Sequence, residues 1–247
     1  MVQGRYDVNM YRLHQLLDSK PFNRLRAVHQ ESAQLNHAIK CKGEWQSYLP
    51  THFIYAFFTF NTLYNIDWSE SLEKGRAWNI GSDNTEKAKI KQYFAFCCQD
   101  EDFLWEYGKF FVKFVLRHYD INEMLDVFDK IEPDDDRKIG GSLKDRDIEN
   151  FHNAFHCCFK EGIINKETLY DIVWLIYKVR CNLFHGVKTL EDLNSLEHQK
   201  KLDIYSVFII AINQMVFSYL NYLDGRELDM EEADELIHLL KWKPGQR

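Results

Sequence analysis

Glycine and proline are scarce in this chain, with 11 and 4 among 247 residues. Sheet folds need more turn punctuation than that, so a predominantly β architecture is disfavoured at once. Disorder goes with low hydrophobicity and few aromatics, and here 45% of residues are apolar, with 18 Phe, 13 Tyr and 6 Trp. An aromatic-rich helical interior is expected instead, in one large or two small domains. A basic excess is also missing. The formal net charge is -7, which argues against a sequence-blind nucleic-acid binder and leaves room only for local contact. No CxxC joins the six cysteines and no secretory apolar core follows MVQGRYDVNM. The expectation is therefore a reduced, cytoplasmic protein whose thiols, such as Cys97 and Cys98, serve as small hydrophobes. There is no P-loop, no dinucleotide fingerprint and no GxSxG, so the phosphate-cradling and nucleophile-elbow chemistries lack their signatures.

Helical periodicity is what the chain has in abundance. Leu202, Tyr205, Ile209, Ile212, Val216, Tyr219 and Leu223 recur at spacings of three and four, one stripe along a helix of about seven turns. Leu169, Ile172, Ile176, Val179 and Leu183 repeat the pattern one helix earlier, with Thr168 before the stripe and Gly186 after it as a helix terminator. The two helices are expected to form an antiparallel hairpin. No charge falls between Ile204 and Leu223, but Ser206, Asn213, Gln214, Ser218 and Asn221 do, and that polar content favours burial in a bundle over a membrane span. Upstream, Thr51 to Asn65, Glu86 to Cys98, Asp102 to His118 and Asn122 to Lys130 also read as helices. Residues 5 to 40 suggest one or two more, broken or capped around Ser19, Lys20 and Pro21. Asp67 to Asn84 suits a connecting loop, and Glu132 to Asp145 a surface loop or subdomain boundary.

The segment richest in chemistry is RCNLFHG, Arg180 to Gly186. Arg stays cationic and forks onto phosphate oxygens, while His titrates near neutrality and can exchange a proton. Together they point to metal-free chemistry on a phosphodiester such as RNA. Lys178, Arg180 and Lys188 make a small basic island around it in an acidic chain. In a regular helix five residues advance about 7.5 Å and turn about 140° beyond a full circle, so Arg180 and His185 do not share a face. Lys178, Asn182 and His185 do, and Arg180 borders the stripe of Ile176 and Val179. One copy alone would hold a phosphate poorly. Unwinding at Gly186 or a second subunit would have to supply the missing geometry.

These residues give the chain a resemblance to the HEPN superfamily of all-α nucleotide-binding and ribonuclease domains from prokaryotic defence and toxin systems. Arg-x-x-x-x-His at Arg180 and His185, in the context YKVRCNLFHG, is similar to the RNNLFHG signature of bacterial members. FFTFNTLYNIDW, Phe57 to Trp68, looks like their aromatic early helix. The resemblance covers roughly residues 45 to 225, which implies an N-terminal helical extension over 1 to 44, a HEPN-like bundle, and a C-terminal helix and tail over 226 to 247. It departs from the family at Cys181, where members often carry a polar residue directly after the Arg; Asn182 follows.

What the resemblance implies is a homodimer facing its two motifs across a shared cleft, and metal-independent RNA cleavage without a cofactor. A ribose 2'-OH attacks the adjacent phosphate, His185 acts as general acid or base, and Arg180 stabilises the phosphorane oxygens. Asn182, Lys178 and Lys188 would bind substrate, and an antitoxin or defence-system protein would be the natural partner. Two other readings stay open. The same cleft could bind a nucleotide, an RNA or a partner protein without cutting anything. Alternatively His185 caps its own helix dipole while Arg180 pairs with a carboxylate, a purely structural role.

Other constellations read as structural. His152 and His156 lie one turn apart and precede Cys157 and Cys158, but third and fourth metal ligands are not evident. Asp134 to Asp136 are a solvated charge run. Phe53, Phe57, Phe60 and Tyr64 fall on one helix face and read as core rather than as a base-stacking platform.

Overall fold

Aromatic and aliphatic stripes at helical spacing, several of them preceded by a residue that caps, build an all-α protein. The computed structural model describes residues 18–41, 49–66, 68, 85–133, 143–184 and 195–224. Among them are the α-helices α1 (Lys20–Cys41), α2 (Leu49–Tyr64), α3 (Glu86–Cys97), α4 (Glu101–Leu116), α5 (Ile121–Phe128), α6 (Asp145–His156), α7 (Lys166–Phe184) and α8 (Leu196–Leu223). No strand occurs among the described residues. Several starts have a local chemical cause. The Ser19 hydroxyl accepts from the Phe22 N–H, the Asp100 carboxylate from Phe103, and the Ser195 hydroxyl from His198, so donors that the first helical turn leaves unpaired are satisfied. At α7 the exchange is reciprocal. Asn165 Oδ1 accepts from the Thr168 N–H at 2.9 Å and Thr168 Oγ1 from the Asn165 N–H at 3.0 Å, which makes Asn165 the cap and moves Thr168 inside the helix.

α8 is the axis of the bundle. It packs against α2 and α4 most extensively and against α5 and α1 at its flanks. The sequence stripe understates this, because every residue from Leu202 to Leu220 is buried, not one face of them. A helix buried all round needs partners for its polar side chains, and α8 has them. Asn213 Nδ2 donates to the Ala56 carbonyl of α2 at 3.1 Å, Gln214 pairs with His29 of α1, and Ser206 bonds back to the Leu202 carbonyl. α8 is also long and apolar enough to cross a membrane, and its apolar window lies wholly inside the bundle.

The expected hairpin of α7 and α8 does not form; α7 packs closely on α6 and α3 instead. Asp147 in the first turn of α6 accepts the Trp174 indole N–H halfway along α7 at 3.1 Å. The far end of α6 leads directly into the start of α7, so these two helices run antiparallel and form the hairpin. α6 ends in a π-helical turn, Cys157–Glu161, closed by Gly162 in the left-handed region at φ 69°, a conformation open to glycine without steric cost. That turn separates the imagined metal ligands. His156 pairs with Glu161 at 3.3 Å and Cys158 faces the core. Among the described residues no three potential ligands gather around a common point. Asp134 to Asp136 lie outside the described residues.

α1 docks on α2 and α8 and thereby completes the bundle. The end of α2 is anchored to α3 by Trp68, whose indole N–H donates to the Leu63 carbonyl at 2.9 Å and whose ring stacks on Phe96 at 4.3 Å. Phe53, Phe57 and Phe60 are core, as their spacing predicts. Cys97, Cys98, Cys157, Cys158 and Cys181 are unpaired thiols, and burial raises Cys97 well above its usual range and Cys158 to about 12; neither is a thiolate at neutral pH.

Candidate functional site

The motif helix α7 lies between α6 and α3, and its last two turns carry Lys178, Arg180, Cys181 and Asn182. Residues two apart on a helix point about 160° away from each other, so the basic island read from the sequence is divided. The Arg180 guanidinium carbon sits 5.7 Å from the centre of the Phe57 ring of α2. Lys178 turns the other way, with its ammonium 5.1 Å from the centre of the Trp174 ring. Asn182, at 7% exposure, is buried with Cys181 and does not share Lys178's partly open environment. His185, Gly186 and Lys188 lie outside the described residues.

Around Arg180 are hydroxyls that the sequence reading did not associate with it. Tyr64 and Tyr177 both feel its positive charge. Burial raises the Tyr64 hydroxyl well above its ordinary range, and the Glu86 carboxylate beside it adds to the effect. Tyr64 donates to Asn61 Oδ1 at 2.6 Å. Burial likewise raises Tyr177, together with its hydrogen bond to the Cys181 thiol. Both phenols therefore stay protonated at physiological pH beside a cation, with the Tyr64 proton engaged by Asn61. A half-buried guanidinium over an aromatic face is held in place by the ring and by its own stem. Such an arrangement can bind an oxyanion and orient it.

From Tyr177 an aromatic row that sequence reasoning passed over runs back along α7, away from Arg180. Tyr170 stacks on Trp174 with ring centres 5.9 Å apart at 16°, and Trp174 on Tyr177 at 5.2 Å and 10°. Lys87 and Lys91 reach across from α3, to 5.8 Å over Trp174 and 5.3 Å over Tyr170. The available signal was the spacing of Tyr170, Trp174 and Tyr177 at four and three on the helix that holds the motif. Asp171 belongs to the same surface. Burial raises its carboxyl above the usual range, and the charges of Lys91 and Lys87 oppose that shift.

Comparison with family models, with curated proteins and with solved structures gives no match.

Proposed function

We propose that the protein is a HEPN-like, metal-independent endoribonuclease acting as a homodimer. The observation that carries this reading is the RCNLFHG signature in the sequence, whose Arg180 lies in the last turns of α7 over Phe57, beside two protonated tyrosines. In the reaction the 2'-oxygen forms a bond to phosphorus as the bond from phosphorus to the 5'-oxygen breaks. One proton leaves the 2'-OH and one is delivered to the departing oxygen. The products are a 2',3'-cyclic phosphate and a 5'-OH, with no net consumption of water. His185 serves as general acid or base and Arg180 holds the phosphorane oxygens, each subunit bringing one pair to the cleft. A cytoplasmic toxin, antiphage or stress-response module, with an antitoxin or defence protein as partner, is the setting that suits such an activity.

The experiment is cleavage of single-stranded RNA in EDTA, with end-group analysis of the fragments. Wild type should yield the cyclic phosphate. His185→Ala and Arg180→Ala should each lose about 10² to 10⁴ in rate while retaining their helical circular dichroism. Arg180→Lys keeps an aliphatic stem and a charge over Phe57 but not the fork, so it should fold as wild type and still cleave poorly. Loss of cleavage in EDTA would remove the metal-free mechanism.

The burial of Cys181 and Asn182 favours a second reading, a non-catalytic module that binds a nucleotide, RNA or a protein partner. A wild-type protein that binds RNA and leaves it intact would decide for it.

A further inference from the structure

We propose that the face shared by α3 and α7, with Lys87, Lys91 and Lys178 set over the row Tyr170, Trp174 and Tyr177, is a track that docks single-stranded RNA. It rests on the ribonuclease reading only for what happens at its end, where Tyr177 adjoins Arg180.

Charge is the first support. The whole chain is acidic, at -7, but α3 carries Lys87, Lys89 and Lys91 against Glu86 alone, and α7 carries Lys166, Lys178 and Arg180 against Glu167 and Asp171. A local positive surface on an acidic protein concentrates a polyanion there. Ring geometry is the second. Trp174 and Tyr177, within 10° of parallel and partly exposed, offer aromatic surface against which unpaired bases stack, a recognition mode that does not depend on sequence. Tyr170 is buried beneath Lys91 and supports the row from below without meeting a strand itself. The third support is preorganisation. Asp147 holds the Trp174 indole N–H from α6, which fixes the ring before any ligand arrives.

The occupant follows from these features. An acidic peptide would use the lysines but has no use for a ladder of parallel rings. A duplex offers phosphates but keeps its bases stacked on one another. A single strand uses both.

The test is fluorescence anisotropy of a labelled oligouridine of about twelve nucleotides with the full-length protein across a salt series. Wild type should bind. Lys87→Glu with Lys91→Glu should bind at least about tenfold more weakly, and the slope of log Kd against log salt should shrink by about 1.4 for two lost phosphate contacts. Trp174→Phe, which keeps a stackable ring, should weaken binding less than the double charge reversal and lose the RNA-induced quenching of indole fluorescence. A dinucleotide substrate, too short to reach the track, should be cleaved by the double variant at the wild-type rate. Wild type that does not bind, unchanged affinity and slope in the double variant, or competition by polyglutamate as effective as by RNA, would each overturn the proposal. Binding that depends on the lysines without any cleavage would leave the track standing and remove the ribonuclease. Cleavage by wild type with unchanged binding in the double variant would do the reverse.

Discussion

Acidification should loosen the attachment of α1 to α8 through one imidazole. His29 of α1 is 3% exposed, donates from Nε2 to Gln214 Oε1 at 3.1 Å, and lies 5.1 Å from the Phe217 ring. Burial lowers its pKa from 6.5 to about 4, and the bond to Gln214 offsets only part of that shift. The folded protein therefore favours neutral His29, while the unfolded chain takes up a proton near pH 6.5. The stability this contributes is fully present above the unfolded pKa and is lost as pH falls from 6.5 towards 4. Two and a half pKa units correspond to about 3 kcal/mol in total, of which about 2 kcal/mol is gone by about pH 5.

Urea titration at about pH 7 and about pH 5 reads this directly, using His29→Gln as the reference, because carboxylates that titrate at the acid end act on both proteins and cancel. Wild type should lose about 2 kcal/mol more than the variant over that interval. Parallel stability profiles would refute the reasoning, as would an NMR titration placing folded His29 near 6.5.

Gly108 of α4 faces Ile164, and a Cβ built there lies 2.9 Å from Cδ1 and 3.2 Å from Cβ of that side chain. Gly108→Ala should destabilise the protein by about 1 kcal/mol, the overlap of about 1–3 kcal/mol exceeding the helical gain of about 1 kcal/mol. In an Ile164→Ala background the same substitution should stabilise, which a pair of thermal melts would check. Asn213→Ala breaks the bond to the Ala56 carbonyl and opens a gap between α8 and α2; the expected loss is about 2 kcal/mol, or about 5 °C in Tm by calorimetry.

The helices α2, α3, α4, α5 and α8 lie where hydrophobic periodicity and capping residues put them, since both signals are local. Which helices pair is not a local property. Neighbours in sequence usually pack together, which made α7 with α8 the natural expectation. α6 overrode it because it joins α7 through only the π-turn and residues 162 to 165 and packs along it, with Asp147 bonded to Trp174. α8, wanted by α2 and α4 at once, became the axis rather than one arm of a hairpin. Its polar residues were legible as a sign of burial in a bundle, but their partners, His29 and the Ala56 carbonyl, come from more than 150 residues away in the chain, where no periodicity reaches.

The same distinction governs the site. Helical arithmetic correctly sets Lys178 and Arg180 on different faces, yet it assigns no environment to either. Phe57 looked like core and is core, with 2% exposure; its second role, as the floor under Arg180, exists only because α2 crosses the end of α7. Asn182 shares Lys178's helical direction and is nevertheless buried, because exposure is decided by what packs against a turn and not by the turn itself. For that reason α7 is better read as two working surfaces joined at Tyr177 than as one motif. Arg180 faces inward to where a phosphate would be held, and Lys178 outward to where a strand would arrive. Tyr177 touches both sides, stacking on Trp174 while sensing the Arg180 charge. A change at that ring should therefore disturb docking and cleavage together, whereas changes at Lys87 or Arg180 should separate them.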